Sequence, residues 1–96
     1  MAAATRLGDY CTGHDSCSPT PLVESSPNVF INGKGAGRVG DRYASRGCVA
    51  HPAHQDCISS GSSTVFINGI PAARIGDAVS IAGTVRDGSE NVFIGS

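Results

Sequence analysis

The sequence predicts a small all-β domain of three hairpin-like repeats with approximate threefold symmetry, one repeat being split across the termini. One observation is a segment that occurs three times: Asn-Val-Phe-Ile-Asn-Gly at residues 28–33, Thr-Val-Phe-Ile-Asn-Gly at 64–69 and Asn-Val-Phe-Ile-Gly at 91–95. The other is Arg-x-Gly-Asp, which follows the first two copies at residues 38–41 and 74–77 but stands at residues 6–9 for the third. A repeated unit rarely buries its apolar face alone, so a repeat divided in this way predicts a chain that closes on itself.

The first two copies are predicted to be tight hairpins. Val-Phe-Ile has the β-branched and aromatic composition of a strand, and Asn-Gly tolerates the two positive φ angles of a type I′ turn. The entering strands are therefore expected at residues 29–32 and 65–68, and the return strands at 35–39 and 71–75. Pro71 has no N–H, so we expect it at an edge or facing outward.

The third copy has no continuous hairpin, so residues 92–94 are expected to pair with residues 3–7 at the other end of the chain. In each copy the Arg-x-Gly-Asp segment is expected to end the return strand, because Gly permits unusual backbone angles and Asp can bond to nearby backbone N–H groups. An acidic catalytic or metal cluster of Asp9, Asp41 and Asp77 is the alternative, and their recurrence at one turn position favours the structural role. A monomer with this symmetry is suited to capping a trimer.

Length and composition limit the size of the domain and its partners. Ninety-six residues with 13 Gly and 5 Pro make one domain, residues 1–96, rich in turns and with no effector extension. We expect the core to hold one Phe per copy, Phe30, Phe66 and Phe93, and expect so small a core to need a metal or disulfides as well. A net charge of -1 without a basic stripe argues against nucleic-acid binding.

No apolar run has the length of a signal peptide or a membrane span, so we expect synthesis in the cytoplasm. In that compartment the four cysteines are expected to be reduced, which makes a metal site a better interpretation than a disulfide. We find no helical periodicity, and the segments between copies are rich in turn residues.

The histidines and cysteines fall in two of the segments that connect the copies. The first segment contains Cys11-x-x-His14-x-x-Cys17, and the second contains Cys48-x-x-His51-x-x-His54-x-x-Cys57. Segments that leave equivalent positions of a threefold unit converge at one end of the axis, which brings the two groups together. A structural zinc site takes four such ligands.

We therefore predict one structural zinc held by His14, Cys48, His51 and His54. Cys57, Cys17 and Cys11 remain alternatives to Cys48 as the fourth ligand, and any one of these cysteines can instead be a small buried apolar residue. A catalytic zinc with Asp15 or Asp56 as its base is disfavoured, because ligands are plentiful and so short a chain has little room to enclose a substrate.

Pro71-Ala72-Ala73-Arg74 is the name-giving motif of the PAAR-repeat proteins, and the surrounding residues 65–77 resemble that family throughout. The equivalent residues are Gly-Ala-Gly-Arg at 35–38 and Ala-Ala-Thr-Arg at 3–6, so the resemblance extends over essentially the whole chain. It implies a small cone that caps the trimeric β-helical spike of a type VI secretion system or a contractile phage tail, with zinc near its apex.

The resemblance also implies partners. They are a trimeric spike protein, VgrG-like or from a phage tail, bound by one tip per trimer, an effector cargo in some members, and brief contact with a target membrane. The protein would travel on the spike across envelopes or form part of a virion tail. This chain departs from the family pattern at Ile81, which stands near a position often held by Cys, and at Arg46, which replaces a common His.

Three functions follow from these observations. The leading one is a structural, non-enzymatic tip that binds a trimeric spike and punctures membranes. A cargo adaptor that carries an effector on its side is the second, and a small zinc hydrolase is the third. A closed four-ligand metal site would exclude the hydrolase, since hydrolysis needs an open coordination position.

Overall fold

The structure is a computed structural model that describes residues 1–13, 17–48 and 51–95, with residues 46–48 and 51–54 described by their backbone pairing. It contains short antiparallel strands and, in the described part, no helix. In chain order the strands are β1 Ala2–Ala3, β2 Phe30–Ile31, β3 Lys34–Gly35, β4 Arg46–Cys48, β5 His51–His54, β6 Phe66–Ile67, β7 Ile70–Pro71 and β8 Phe93–Ile94. They form four two-stranded sheets, β1–β8, β2–β3, β4–β5 and β6–β7. The predicted all-β class is confirmed.

The two Asn-Gly hairpins form as predicted. In β2–β3, Ile31 pairs with Lys34, and in β6–β7, Ile67 pairs with Ile70. The φ angles are +54° and +79° at the first Asn-Gly, and +56° and +75° at the second. Positive φ at both central residues is the signature of the type I′ turn. The regular strands are shorter than expected, because the return segments continue as isolated bridges rather than as ladders.

The split copy is completed by the two ends of the chain. Ala2 pairs with Ile94, and the Ala4 N–H donates to the Val92 C=O at 3.0 Å. The same bond occurs within the continuous hairpins, from Ala36 N–H to Val29 C=O at 2.9 Å and from Ala72 N–H to Val65 C=O at 3.0 Å. The pairing predicted for residues 92–94 is thus made by residues 2–4. Thr5 and Leu7 instead donate to neighbouring copies, at Ala73 and Gly35.

The contacts between copies form a closed cycle. Arg6 bridges to Ala36 of the first continuous copy, Arg38 bridges to Ala72 of the second, and Arg74 returns to Ala4 of the split copy. All three bridges are antiparallel. Each copy therefore stabilises the next, and the split copy closes the series. The geometric threefold axis stays a prediction.

The predicted phenylalanine core is wrong. Phe30, Phe66 and Phe93 are 61%, 56% and 51% exposed, while the isoleucine that follows each is buried. Ile31, Ile67 and Ile94 instead pack with Ala4, Ala36 and Ala72 in one apolar cluster, which lies beside the hairpins. Adjacent strand residues point to opposite faces, so burying the isoleucines places the phenylalanines outside.

A second apolar cluster is formed mainly by residues that come after the hairpins in the sequence. It contains the residue two positions after each motif aspartate, together with one residue from each connecting segment. Its members are Cys11, Tyr43 and Val79, Leu22, Ile58 and Val85, and Ala73. Cys11 and Tyr43 are fully buried in it. The domain thus has two apolar clusters, one formed by hairpin and return-strand residues and one formed mainly by residues of the connecting segments.

Candidate functional site

Each Arg-x-Gly-Asp segment forms the same charged turn, which fixes the position of the hairpin beside it. In the first complete copy the Asp41 carboxylate accepts hydrogen bonds from the Arg38 N–H at 2.8 Å and from the Arg38 guanidinium at 2.9 and 3.0 Å. Asp9 with Arg6, and Asp77 with Arg74, repeat this arrangement. The bond to aspartate raises the pKa of each arginine, which keeps it charged. Each aspartate bonds to the arginine three residues before it, so its carboxylate is engaged in the turn.

The same arginines join neighbouring copies together with buried serines and exposed asparagines. Asn68 accepts from the Ser26 hydroxyl at 2.6 Å and from Arg38 at 3.2 Å. Asn32 accepts from Ser89 at 2.6 Å and from Arg6 at 3.0 Å in the equivalent junction. In the third junction the Gly95 C=O replaces the asparagine and accepts from Ser62 and Arg74, both at 3.1 Å. These bonds hold the three hairpin ends in a fixed arrangement.

The three exposed phenylalanines stand at equivalent positions of these hairpin ends, and we call Phe30, Phe66 and Phe93 the phenylalanine face. Phe30 pairs with Gly35 next to the Val29–Ala36 hydrogen bond, so its own N–H and C=O point away from the partner strand. The pairing of Phe66 and Phe93 has the same form. In the described part of the chain no other segment donates to or accepts from the backbone of these three residues. Each hairpin therefore presents an exposed ring beside an open strand edge.

A polar cleft of about 320 Å³ lies beside this face, lined by Arg6, Asn32, Gly88, Glu90 and Asn91. The Arg6 guanidinium already bonds to Asp9 and Asn32. The lining contains no histidine or cysteine. Its one acidic side chain is the carboxylate of Glu90.

At the other end of the domain, backbone pairing brings two predicted zinc ligands together. Cys48 of β4 pairs directly with His51 of β5, and Arg46 pairs with His54 at the far end of the same ladder. The register shifts between these two pairs, with one extra residue on β5. The pairing is compatible with a metal shared by Cys48 and His51. His14 lies outside the described residues, as do the side chains of Cys48, His51 and His54.

A family model for the PAAR motif matches residues 12–85. The chain belongs to the PAAR-motif family. Proteins of this family are structural and associate with spike proteins such as VgrG. No curated protein gives a significant match to the chain. The matched range includes both continuous hairpins, both histidine-containing segments and the motif residues 71–74 themselves.

The remaining cysteines of this PAAR protein occupy three different environments. Cys11 has a free thiol and lies in the second apolar cluster, at the position that Tyr43 and Val79 hold in the other copies. Cys57 is partly buried and has a free thiol, and its backbone N–H donates to the Ser80 hydroxyl at 2.9 Å. Cys17 is disulfide-bonded, which corrects the expectation that all four cysteines are reduced. Among the residues whose side chains are described, no three metal-binding side chains cluster.

The second apolar cluster is the feature of this PAAR domain that the sequence interpretation missed. Aligning the copies on the motif aspartate would have shown it, because Cys11, Tyr43 and Val79 all stand two residues further on. Asp56, the alternative catalytic base, is buried, and its C=O accepts from the N–H of Tyr43 in this cluster at 2.8 Å. The described residues also contain no helix long and apolar enough to span a bilayer.

Proposed function

We propose that this PAAR protein is a structural tip that caps the trimeric β-helical spike of a type VI secretion system or a contractile phage tail. One copy binds one trimer through the phenylalanine face, and the opposite end becomes the point that punctures a membrane. The protein is made in the cytoplasm and leaves it on the spike. The family membership supports the class of partner.

The phenylalanine face carries this proposal. The three phenylalanine side chains are exposed, whereas the isoleucine that follows each of them is buried. Exposed aromatic residues are common anchors of protein interfaces. The open strand edges beside the rings allow a partner's strands to extend each hairpin by backbone hydrogen bonds, a mode known as β-augmentation.

The cycle of contacts between copies supports the trimeric partner. A homotrimer presents three identical surfaces around its axis. Arg6, Arg38 and Arg74 make equivalent bridges to neighbouring copies, so a single chain offers three similar hairpin ends. One tip can then bind all three subunits at once, and a second tip on the same spike end would have no free surface.

Zinc is the remaining part of the proposal. The metal would be held by His14, Cys48, His51 and His54, and when bound it would supply a closed cross-link between the first and second connecting segments. The direct pairing of Cys48 with His51 supports this set. A cysteine must be a thiolate to bind zinc, so the proposed site belongs to the reduced protein, in which the disulfide at Cys17 is open.

Single charge substitutions on the phenylalanine face test the docking. We expect Phe66→Asp to weaken binding to a purified trimeric VgrG-type spike fragment by about a hundredfold, because a charge replaces a buried anchor. Phe30→Asp and Phe93→Asp should act in the same way. Binding is measured by biolayer interferometry, and unchanged thermal melting of each variant shows that the fold persists.

Val23→Asp is the matched control, because Val23 is exposed to a similar degree but its N–H bonds to Arg42 on the side of the domain. This variant should bind the trimer as the wild type does. Wild-type affinity in all three phenylalanine variants would refute docking through this face.

A further inference from the structure

The third connecting segment, residues 78–90, contains an isoleucine with an unusual backbone conformation. Ile81 has a φ of +69°, and the Ala82 N–H donates to the Ser80 C=O at 2.8 Å across it. This is the pattern of a classic γ-turn, which is rare and strained. A β-branched residue is among the least tolerant of positive φ. Glycine would adopt this turn without strain, so the isoleucine is costly to the fold.

Neighbouring residues hold this turn on both sides. The Ser80 N–H donates to the Cys57 C=O at 2.8 Å, and the Ser80 hydroxyl accepts from the Cys57 N–H at 2.9 Å. After the turn, Thr84 exchanges hydrogen bonds with Thr12 at 2.9 and 3.0 Å. The turn is therefore anchored to both of the other connecting segments. Strain that persists under such anchoring occurs mostly at functional positions.

The strained side chain points into solvent rather than into the domain. Ile81 is 72% exposed, and among the residues whose side chains are described only Met1 is a more exposed large apolar residue. None of residues 78–85 is charged. Its hydrogen bonds run to Cys57 and Thr12 of the other two connecting segments, so we place it with them rather than with the phenylalanine face. The connecting-segment end of the proposed tip thus includes an apolar side chain on an uncharged, anchored turn.

We propose that Ile81 is a residue by which this end of the tip contacts the acyl region of a lipid bilayer. This inference rests on the proposed function, because only a tip that leads the spike would meet a membrane with this end. An uncharged turn enters the bilayer interface without desolvating an ionised group, which would be costly. A buried aliphatic side chain gains free energy there.

A lipid partner fits this turn better than a protein partner does. A specific protein interface buries about 800 Å² on each side. One protruding side chain flanked by Ser80, Ala82 and Gly83 offers a small fraction of that area. A bilayer needs no complementary pocket, and a weak, brief contact is enough when the spike supplies the force.

Ile81→Gly separates a membrane role from a structural one. We expect this variant to melt at a higher temperature than the wild type, since glycine relieves the strain at positive φ. We also expect about tenfold weaker partition onto phosphatidylcholine–phosphatidylglycerol vesicles, measured by co-flotation of the full chain at high lipid concentration. Val23→Ala, which removes an exposed side chain on the flank, should float as the wild type does.

A tryptophan reporter gives an independent measurement, because the chain contains no Trp. Ile81→Trp emission should shift to the blue with vesicles and be quenched by brominated acyl chains, whereas Val23→Trp should change little. Equal flotation of the wild type and Ile81→Gly, or equal quenching of the two reporters, would overturn the inference. Spike binding is measured separately, so wild-type binding by these variants would leave the proposed function standing even then.

Discussion

At the scale of single residues, the motif aspartates hold the three Arg-x-Gly-Asp turns together. Asp9, Asp41 and Asp77 are nearly buried, and each accepts both backbone and side-chain hydrogen bonds from its arginine. Each arginine also reaches the neighbouring copy. Loss of one carboxylate would leave a guanidinium and a backbone N–H without their acceptor.

We expect Asp41→Ala to lower the free energy of unfolding by about 3 kcal/mol, because removal of one partner leaves the other charge uncompensated in a partly buried site. Urea denaturation followed by circular dichroism measures the change. Asp87→Ala is the matched control. Asp87 pairs with Arg86 on the surface, where both side chains are more than one third exposed, and it accepts one exposed hydrogen bond from the Tyr10 N–H at 3.2 Å. A surface pair contributes about 0–1 kcal/mol, so the loss should be smaller than for Asp41→Ala. Equal losses in the two variants would contradict the account.

Residue patterns predicted the turns but not the inward face of the strands. Asn-Gly predicted positive φ at Asn32 and Asn68, because that preference is local to the turn. The apolar triplet Val-Phe-Ile does not show which of its last two residues faces inward. Strand alternation permits either the phenylalanine or the isoleucine to face inward. In the structure the isoleucine faces inward, where it packs against Ala36 and its equivalents.

At the scale of elements, the three copies differ where one connecting segment crosses a return strand. Gly61 and Gly88 have no room for a Cβ, which would lie 2.7 Å from the C=O of Ala72 and Ala4 respectively. The first copy has Ser25 at this position, and the facing residue is Gly35, where the other copies have Pro71 and Ala3. The extra serine side chain is thus accommodated by a glycine opposite.

This compensation predicts a rescue experiment. Gly35→Ala should destabilise the domain by about 2 kcal/mol, because its Cβ would lie 2.8 Å from the Ser25 Cβ. Adding Ser25→Gly should restore most of the loss, since the first copy would then resemble the split copy. Gly95→Ala is the control, as its Cβ would meet no atom within 4 Å. Additive losses in the double variant, measured by thermal and urea unfolding, would rule out the coupling.

The sequence predicted the hairpins and their closure but not the second apolar cluster. Repeated motifs reveal elements that are similar in every copy. The second cluster combines different residues, Cys11, Tyr43 and Val79, at the same position. Its partners, such as Leu22, come from connecting segments whose sequences do not repeat. These contacts depend on tertiary packing, for which the local pattern carries little information.

At the scale of the whole molecule, closure and metal binding together would make a small domain rigid. The split copy joins both ends of the chain into one hairpin-like unit. The proposed zinc would join the first and second connecting segments. A domain of 96 residues buries a modest share of its surface, so ties of this kind contribute a large part of its stability.

We expect protein purified under reducing conditions to contain about one zinc per chain, and chelation to lower its melting temperature, because metal binding adds to the folding free energy. His14→Ala and Cys48→Ser should each reduce zinc content and thermal stability. Cys57→Ser should retain both. Zinc is measured by inductively coupled plasma mass spectrometry. Loss of zinc in Cys57→Ser but not in Cys48→Ser would identify Cys57 as the fourth ligand in place of Cys48. Purified protein that contains no metal, and whose melting temperature is unchanged by chelators, would refute the zinc site.

The stoichiometry of the complex shows whether three hairpin ends of one chain match three subunits of one spike. Multi-angle light scattering of the purified chain with a trimeric VgrG-type spike fragment measures the mass of the complex at saturation. The account predicts one copy of the chain per trimer, even with the chain in excess. A complex with three copies per trimer would contradict it, because each subunit would then bind its own tip.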